Sequence, residues 1–330
     1  MSLDGKTILI TGGTGSFGRA FISAVLTRHQ PHAIRVLSRD ELKQSELARQ
    51  YHGDDRLRYL LGDIRDLPRL RQAFNGVDLV VHAAAMKQVP ACEYNPFEAV
   101  KTNILGTENV IAAAIECDVE TVVAISSDKA VSPVNLYGAT KLCAEKLFSR
   151  SNAYVGAGRT RFASVRYGNV VGSRGSVVPL FQEQAAEGRL TITDPEMTRF
   201  WITLTQAVDL VIECATRVSG GEVVIPKIPS TKITDLAEAI APGVPYEVTG
   251  IRPGEKLHED LITPDESRNA IELDGQYVIL PDDPSWQPAS PWPEGKAVAP
   301  GFRYTSNTND WWLTGDELKR VIAESGAGEY

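Results

Sequence analysis

Short apolar segments alternate with helical segments through the first half of the chain, and this alternation limits the possible folds more than any other feature. We predict strands over residues 7–11, 34–37, 58–61, 78–82, 121–126 and 162–166, and helices over 17–29 and 41–50. Continuous apolar strands separated by helices form a parallel sheet that is covered on both faces. We therefore predict an α/β fold with a doubly wound parallel sheet, whose ligands bind at the carboxyl ends of the strands.

The pattern changes after residue 168, where glycine, serine, arginine and proline become frequent. A helix is predicted over 205–218, and a strand over 222–225 is expected to rejoin the sheet. We thus predict a sheet domain formed by residues 1–168 plus about 203–226, and a smaller interleaved C-terminal domain formed by 169–202 plus 227–330. Residues 281–300 contain many prolines and are predicted to be an irregular surface segment.

Composition narrows the classes of partner. A formal charge of −8 argues against nucleic acid, which requires a concentrated basic face, and the apolar runs are shorter than a membrane span. The four cysteines include no Cys-x-x-Cys pair and the five histidines have no metal-ligand spacing, so we predict reduced thiols and no metal site. With no signal-peptide pattern at residue 1, we expect a cytoplasmic protein.

A glycine loop lies between the first predicted strand and the first predicted helix. Gly12 permits a tight turn, Gly15 lets a pyrophosphate approach the helix N-terminus, and Gly18 allows close packing of helix on strand. An ordinary turn is the alternative, but the strand–loop–helix context favours dinucleotide binding. The predicted contacts of this loop with the cofactor are Gly12, Thr14, Gly15, Ser16, Phe17 and Gly18.

The end of the second strand favours NADP as the dinucleotide. Ser38 and Arg39 come first, and an arginine suits the 2′-phosphate of NADP through paired hydrogen bonds. Asp40, one residue later, suits the ribose 2′-hydroxyl of NAD, so NAD is the alternative. Further predicted cofactor contacts follow the third and fourth strands, where the alternative is a plain turn: Asp63, Ile64, Ala83, Ala84 and Ala85.

Tyr137 and Lys141 are four residues apart and therefore share one face of a helix. A tyrosine with a pKa of about 10 is a poor base at neutral pH. We expect the Lys141 ammonium to lower that pKa and to bond the nicotinamide ribose. Ser127 ends the preceding strand and can hold a substrate oxygen. A surface Tyr–Lys pair is the alternative, but the glycine loop at the expected separation favours the catalytic interpretation.

Asp128 and Lys129 stand side by side just after this serine. Once a sugar C4 is oxidised to a ketone, the C5 proton becomes acidic, and a base can remove it while an acid protonates the departing 6-hydroxyl. We predict Lys129 as the base, partly neutral through desolvation, and Asp128 as the acid. The alternative is an exposed salt-bridged pair.

These features resemble the extended short-chain dehydrogenase/reductase family throughout the first half. The resemblance implies a Rossmann domain with a small substrate domain and redox chemistry on a sugar hydroxyl. Asn103 resembles the helix asparagine of that family. Three later loops, within residues 162–179, 191–201 and 250–259, carry arginines that suit a nucleotide diphosphate, although each alone reads as a surface arginine.

Over residues 1–262 the sequence is similar to the inverting UDP-N-acetylglucosamine 4,6-dehydratases of the pseudaminic acid pathway. The resemblance implies a homo-oligomer, dimer to hexamer, that binds NADP and UDP-N-acetylglucosamine and forms UDP-2-acetamido-2,6-dideoxy-beta-L-arabino-hex-4-ulose. Inversion at C5 rests on the resemblance alone. It adds the cofactor contacts Lys43, Lys87, Asn103, Tyr137, Lys141 and Tyr167, and the substrate contacts Met86, Lys87, Asn169, Ser176, Val177, Thr191, Arg199, Arg252 and Glu255.

Two other functions stay open at this point. A UDP-N-acetylhexosamine 4-epimerase would use the same tyrosine and lysine without elimination, and the Asp128–Lys129 pair argues against it. A non-catalytic NADP-binding sensor would have no need of Tyr137 and Lys141. The segment 309–313 is expected to be a packed terminal segment, with no role assigned.

Overall fold

The computed structural model describes residues 2–156, 158–172, 177–282 and 291–324. Its strands are β1 (Thr7–Thr11), β2 (Ala33–Ser38), β3 (Leu57–Leu61), β4 (Leu79–His82), β5 (Thr121–Ile125), β6 (Arg161–Val165), β7 (Asn169–Val170), β8 (Leu190–Ile192), β9 (Thr198–Ile202), β10 (Val223–Pro226), β11 (Ser230–Lys232), β12 (Tyr246–Val248), β13 (Asp260–Ile262), β14 (Ala270–Glu272), β15 (Gln276–Ile279), β16 (Lys296–Ala297) and β17 (Tyr304–Thr305). Its helices are α1 (Ser16–Arg28), α2 (Glu41–Gln50), α3 (Leu67–Phe74), α4 (Val89–Tyr94), α5 (Pro96–Val100), α6 (Gly106–Glu116), α7 (Leu136–Ser151), α8 (Val177–Ala186), α9 (Leu204–Arg217), α10 (Ile233–Ile240) and α11 (Gly315–Glu324).

A ten-stranded sheet forms the centre of the molecule, in the order β16-β14-β15-β10-β6-β5-β4-β1-β2-β3. The strands from β10 to β3 in this order are all parallel. The prediction of a doubly wound parallel sheet is confirmed. Strands β14, β15 and β16 extend it with antiparallel pairs, and β14 and β15 are joined by a short turn, as antiparallel neighbours can be without a crossover helix.

Strand β1 shows why the sheet is covered on both faces. Ile8 and Ile10 point to one side, where they pack with Phe21 of α1. Leu9, between them, points to the other side and packs with Phe74 of α3. Because successive side chains of a strand alternate between faces, an unbroken apolar run requires a helix layer on each side.

A second unit lies beside the carboxyl ends of the large sheet. It contains the small sheet β11-β9-β7 and the pairs β12-β8 and β13-β17. Helices α8, α10 and α11 pack around Phe181, Leu236 and Leu318. The division into two domains remains a prediction; β14, β15 and β16 lie within 227–330 but pair with the large sheet.

The segment 281–300 differs from its prediction over the part that the structure describes. Trp292 is only 2% exposed, and its ring lies 3.8 Å from the Arg217 guanidinium carbon. Strand β16 pairs with β14 at the edge of the sheet. The prediction of an irregular surface segment therefore fails at Trp292, which is buried, and at Lys296–Ala297, which pair as β16 but are exposed, because proline frequency reports neither burial nor pairing. Residues 283–290 lie outside the described residues.

The terminal segment 309–313 packs against β11. The Leu313 amide donates to the Ser230 carbonyl over 2.9 Å, and the Asn309 side chain donates to the Ile228 carbonyl over 2.9 Å. Leu313 is buried, whereas Trp311 is 48% exposed. Among the described residues, no helix is long and apolar enough to cross a membrane.

A buried ion network joins helix α7 to the chain beyond β13. Arg166, which follows β6, is fully buried, and its Nε donates to Glu145 Oε2 of α7 over 3.1 Å. Its Nη2 donates to Glu266 Oε1 over 2.7 Å, and its Nη1 to the Leu261 carbonyl over 2.8 Å. Burial opposes the charge of Arg166, but the two carboxylates raise its pKa above the ordinary value. The guanidinium thus fixes two parts of the chain in one position.

Replacing Arg166 by methionine is expected to lower the free energy of unfolding by about 3–5 kcal/mol, because it leaves two carboxylates without their buried partner. Arg150→Met removes the exposed pair with Asp282 and is the matched control, with an expected loss below about 1 kcal/mol. Urea unfolding of both variants measures the difference. Equal losses in the two variants would contradict a structural role for the buried network.

Candidate active site

The loop between β1 and α1 has the shape of a phosphate cradle. Gly12 has φ +67°, and a Cβ there would lie 3.0 Å from the backbone nitrogen of Ala84. No side chain caps α1, whose N-cap is Gly15. The first-turn amides of a helix lack intrahelical acceptors, so these amides are suited to bind an anion. The residues here therefore fit the pyrophosphate of a dinucleotide.

A cleft of about 1720 Å³ runs from this loop, across the carboxyl ends of the strands, to the second unit. Nearly all predicted cofactor contacts line it: Gly12, Thr14, Gly15, Ser16, Phe17, Gly18, Ser38, Arg39, Asp40, Lys43, Asp63, Ile64, Ala83, Ala84, Ala85, Lys87, Tyr137, Lys141 and Tyr167. Asn103 does not line it. Its side chain is buried and bonds both the amide and the carbonyl of Met86, at 2.8 and 2.9 Å. Asn103 therefore holds the chain that follows β4.

Arg39 and Asp40 differ in their surroundings. The Asp40 carboxylate caps α2, accepting the Lys43 amide over 3.0 Å, and lies 3.1 Å from the Lys43 ammonium. These hydrogen bonds lower the pKa of Asp40. The Arg39 side chain is 61% exposed, and its nearest acid is Asp63 at 3.6 Å. The arginine is thus available at the cleft edge, while the aspartate already has a role in its own helix.

Tyr137 lies at the start of α7, which is capped by Asn135. Close to Tyr137, Gly138 packs against the Lys129 carbonyl oxygen, where a Cβ would collide. Burial raises the pKa of the Tyr137 phenol to about 12, against the opposing effects of the Lys129 ammonium and a hydrogen bond with Ser127. The phenol therefore needs a neighbouring positive charge before it can act as a base at neutral pH.

Lys141 is placed differently from our expectation. Its ammonium donates to the Ile125 carbonyl over 2.6 Å. Burial lowers its pKa to about 8. The cation that lowers the Tyr137 pKa in this structure is Lys129. The expected effect of Lys141 on the phenol is thus taken over by a lysine from the neighbouring loop.

Lys129 lies in a short 3-10 turn, Asp128–Ala130, directly after β5. Its ammonium lines the cleft and lies 3.1 Å from Asp128 Oδ1 and 3.1 Å from Asn169 Oδ1. Burial by itself lowers the pKa of Lys129, but the carboxylates of Asp128 and Glu259 outweigh it and leave the pKa raised. The surrounding carboxylates thus favour the charged form of Lys129 in the resting protein, and the partly neutral lysine that we expect beside a bound cofactor stays a prediction.

Asp128 does not line the cleft, and its side chain is 1% exposed. Its Oδ1 accepts hydrogen bonds from Ser127 Oγ over 2.7 Å and from Lys129 Nζ over 3.1 Å. Its Oδ2 is buried and has no hydrogen-bond partner within the described part of the chain. An acid for the 6-hydroxyl must reach the substrate, so this carboxylate is better placed to act through Ser127 and Lys129.

The predicted substrate contacts are only partly brought together. Those that line the cleft are Lys87, Asn169, Val177, Arg199, Arg252 and Glu255. Met86 instead packs with Cys92 and Tyr137. Thr191 is bonded to the Gln184 side chain and does not line the cleft, because β8 carries it away. Ser176 lies outside the described residues.

Glu259 is the site residue that our sequence reasoning missed. It lines the cleft, is 3% exposed, and has its Oε1 3.8 Å from the Lys129 ammonium. Lys256 Nζ lies 3.4 Å from Oε2, and Arg199 Nε lies 3.8 Å from Oε1. The segment 250–259 was predicted to matter for its arginine, because the closeness of Glu259 to Lys129 arises only in the folded chain. Within the described ranges, no three acidic, histidine or cysteine side chains are grouped to hold a metal.

Comparisons with known proteins agree with this geometry. The family described as "Polysaccharide biosynthesis protein" matches residues 8–281. The UDP-N-acetylglucosamine 4,6-dehydratase (inverting) of Campylobacter jejuni serotype O:2 is 49% identical over 96% of this chain and 97% of its own. A UDP-glucose 4-epimerase of Rickettsia akari is 41% identical over 96% of this chain and 95% of its own.

The X-ray structure of Pen from Bacillus thuringiensis has the same fold at 42% identity. It superposes with a TM-score of 0.88 over 98% of this chain and 100% of that chain. The likeness thus includes the large sheet, the second unit and the cleft between them. With the family match over residues 8–281, it follows that this chain belongs to the polysaccharide biosynthesis protein family.

Proposed function

We propose that this protein is an NADP-dependent UDP-N-acetylglucosamine 4,6-dehydratase that inverts C5 of the sugar. The observation that carries the proposal is the meeting of Tyr137 and Lys129 in one cleft beside the glycine loop. A simple oxidation needs the tyrosine alone, whereas elimination of water also needs a group that moves a proton at C5. The 49% identity to an inverting dehydratase over nearly the whole chain supports the same activity.

Tyr137 begins the proposed reaction by accepting the proton of the 4-hydroxyl. NADP, when bound, takes up hydride from C4 and returns it to C6. Ser127 bonds the phenol and can hold the substrate oxygen beside it. Lys141, fixed by the Ile125 carbonyl, is placed to bond the nicotinamide ribose. The Tyr137 phenol thereby has the oriented partners that general-base catalysis requires.

Lys129 is the proposed base for the C5 proton, because its amine lines the cleft. Since Lys129 is charged in the resting protein, it must lose a proton before it can act. Asp128, which we predicted as the acid, is assigned to holding Lys129 and Ser127 in place. The ammonium that Lys129 forms in this step then gives its proton to the departing 6-hydroxyl, which leaves as water. Hydride returns to C6 while C5 takes up a proton on the opposite face. The product is therefore a 4-keto-6-deoxy sugar with inverted C5, and no cofactor is consumed overall.

NADP is the proposed cofactor, with NAD as the alternative. The support is the exposed guanidinium of Arg39 at the cleft edge and the Lys43 ammonium near it. A 2′-phosphate favours such an arginine, and the Asp40 carboxylate is already engaged in capping α2. We also propose that the protein is a cytoplasmic homo-oligomer, from a dimer to a hexamer, and that its product is used to make pseudaminic acid. The exposed side chains of Tyr94 on α4 and Phe97 on α5 suit a contact between subunits.

A 4-epimerase of UDP-N-acetylhexosamine is the second candidate. It is favoured by the 41% identity to a UDP-glucose 4-epimerase and by Tyr137, which both reactions use. The buried Asp128–Lys129–Glu259 cluster argues against it, because epimerisation at C4 needs no proton transfer at C5.

Incubation with UDP-N-acetylglucosamine is expected to give a product lighter by one water in mass spectrometry, with deuterium at C5 in deuterated water. Lys129→Ala should slow water loss by about 10²–10⁴-fold, as loss of a general base does. Reduced cofactor should still form on that variant, because Tyr137 is intact, but more slowly, because the phenol has lost the positive charge of Lys129. Lys319→Ala, which removes a surface lysine paired with Asp316, is the control and should be unchanged.

An isomer of unchanged mass from the unaltered protein would support the epimerase instead. Unchanged turnover in both Lys129→Ala and Asp128→Asn would remove the elimination chemistry from this loop altogether.

Arg39→Ala is expected to weaken NADP binding by about 10- to 100-fold and to leave NAD binding nearly unchanged, since a hydrogen bond to a charged group contributes about 1.5–3 kcal/mol. Calorimetric titration of each cofactor gives the two dissociation constants. Arg28→Ala, which removes a surface pair with Asp209, is the control. Equal weakening of both cofactors would show that Arg39 does not contact the 2′-phosphate.

A further inference from the structure

We propose that Glu259 is a positioning residue that receives the proton of Lys129, so that the Lys129 amine becomes free to act on C5. The inference rests on the dehydratase function proposed above and explains how a lysine that is charged at rest can serve as a base. The carboxylate lies within the same cleft, 3.8 Å from the ammonium at its Oε1.

The position of Glu259 is fixed by its backbone. Its amide donates to Ser306 Oγ over 2.9 Å, and its carbonyl accepts the Ser306 amide over 2.9 Å and Thr305 Oγ1 over 3.1 Å. These bonds attach the residue to β17, which pairs with β13. A buried carboxylate anchored in this way faces Lys129 in a defined geometry.

Glu259 has the capacity to take up a proton. Its Oε2 is buried and has no hydrogen-bond partner among the described residues, although the Lys256 ammonium lies 3.4 Å away. Burial and the nearby Asp128 raise the pKa of Glu259, while Lys129, Arg199 and Lys256 act in the opposite direction. The free energy needed to protonate the Glu259 carboxylate is therefore smaller in this site than in water.

Asp128 is less suited to the same task, although it is closer. Its Oδ1 accepts the Ser127 hydroxyl as well as the Lys129 ammonium. Asp128 thus holds the lysine, and Glu259 exchanges a proton with it.

The proton transfer is balanced within the pair. An N–H bond of Lys129 breaks, an O–H bond of Glu259 forms, and ammonium and carboxylate become amine and carboxylic acid. No electrons are exchanged and the net charge of the pair stays the same. At 3.8 Å the transfer requires a small approach of the two groups or one bridging water. The amine then takes the C5 proton and is an ammonium again.

The charges around this pair come from several elements and stay in place during the transfer. The titratable and charged groups that face Lys129 or Glu259 are Asp128 beside Lys129, Tyr137 on α7, Lys87 after β4, Arg199 on β9, and Lys256 in the loop before β13. His258 turns instead to Thr198, with its Nδ1 2.8 Å from Oγ1.

Glu259→Gln tests the proposal, because it keeps the shape and removes the proton-accepting group. With NADP and UDP-N-acetylglucosamine, we expect deuterium exchange at C5 and water loss to fall about 100-fold at neutral pH. The rate should then recover as the pH is raised. Without Glu259 the pKa of Lys129 is lower, and its proton must leave to solvent, so the free amine increases with pH. Exchange by the unaltered protein should be nearly independent of pH over the same range.

Glu222→Gln is the matched control, because Glu222 is another buried carboxylate, 2% exposed, that accepts backbone amides far from the cleft. It should lower stability while leaving the pH dependence of exchange unchanged. Glu259→Asp keeps the charge and is expected to exchange C5 at a reduced rate that is nearly independent of pH. This variant still tests the proposal if Glu259→Gln does not fold. Formation of reduced cofactor should persist in both Glu259 variants.

The outcomes separate this inference from the proposed function. An unaltered protein that neither loses water from UDP-N-acetylglucosamine nor exchanges C5 overturns the dehydratase and this inference with it. An active unaltered protein whose Glu259→Gln variant keeps both rate and pH profile overturns the role of Glu259 alone. Two further outcomes overturn the role of Glu259, because the effect of the substitution would then be structural. The first is a slow Glu259→Gln variant whose rate does not change with pH. The second is a Glu259→Asp variant whose rate rises with pH in the way expected for Glu259→Gln.

Discussion

Helix α7 can approach the end of strand β5 because residue 138 has no side chain. A Cβ on Gly138 would collide with the Lys129 carbonyl oxygen, so the helix and the 3-10 turn meet backbone to backbone. Tyr137 immediately precedes this contact and Lys129 forms its other side. This close approach brings Tyr137 and Lys129 into the same cleft. It also makes Lys129 the cation that lowers the pKa of the Tyr137 phenol.

Two buried charge clusters lie beside this helix, one near its start and one at Glu145 within it, and they differ in how many of their polar atoms have hydrogen-bond partners. Arg166, Glu145 and Glu266 are joined by several hydrogen bonds and hold the fold together. Asp128 and Glu259, beside Lys129, each keep one buried oxygen without a hydrogen-bond partner in the described part of the chain. Buried polar groups are normally satisfied, and exceptions concentrate where protons move. The contrast separates a structural cluster from a reactive one.

The sequence predicted those parts of the fold that have a strong local pattern. The strands from β1 to β6 are apolar runs between helices, and each was located to within one or two residues. Strands β14 to β16 were not predicted, because two to four residues are too short to show a period. The burial of Trp292 in the proline-rich stretch was not predicted either, because composition reports neither burial nor pairing.

The site shows a similar limit. The glycine loop and the pair Tyr137–Lys141 have fixed local spacings, and the structure places them in one cleft. The charge state of Lys129 depends on Glu259, which comes from a distant part of the chain, and on burial, which residue types alone do not give. The burial of Asp128 likewise follows from how the turn after β5 packs. The sequence named Tyr137, Lys141 and Lys129 as candidates, but neither Glu259 nor the protonation and orientation of these groups could be predicted from it.

The network of Arg166 has a consequence for how such proteins can diversify. It joins the central sheet, the catalytic helix and the chain after β13 through one guanidinium. If the second unit came from a relative without the network, it would lack Glu266, and Arg166 would lose one of its two carboxylate partners. Exchange of the second unit between relatives is therefore expected to preserve this buried network only where both proteins carry all three residues.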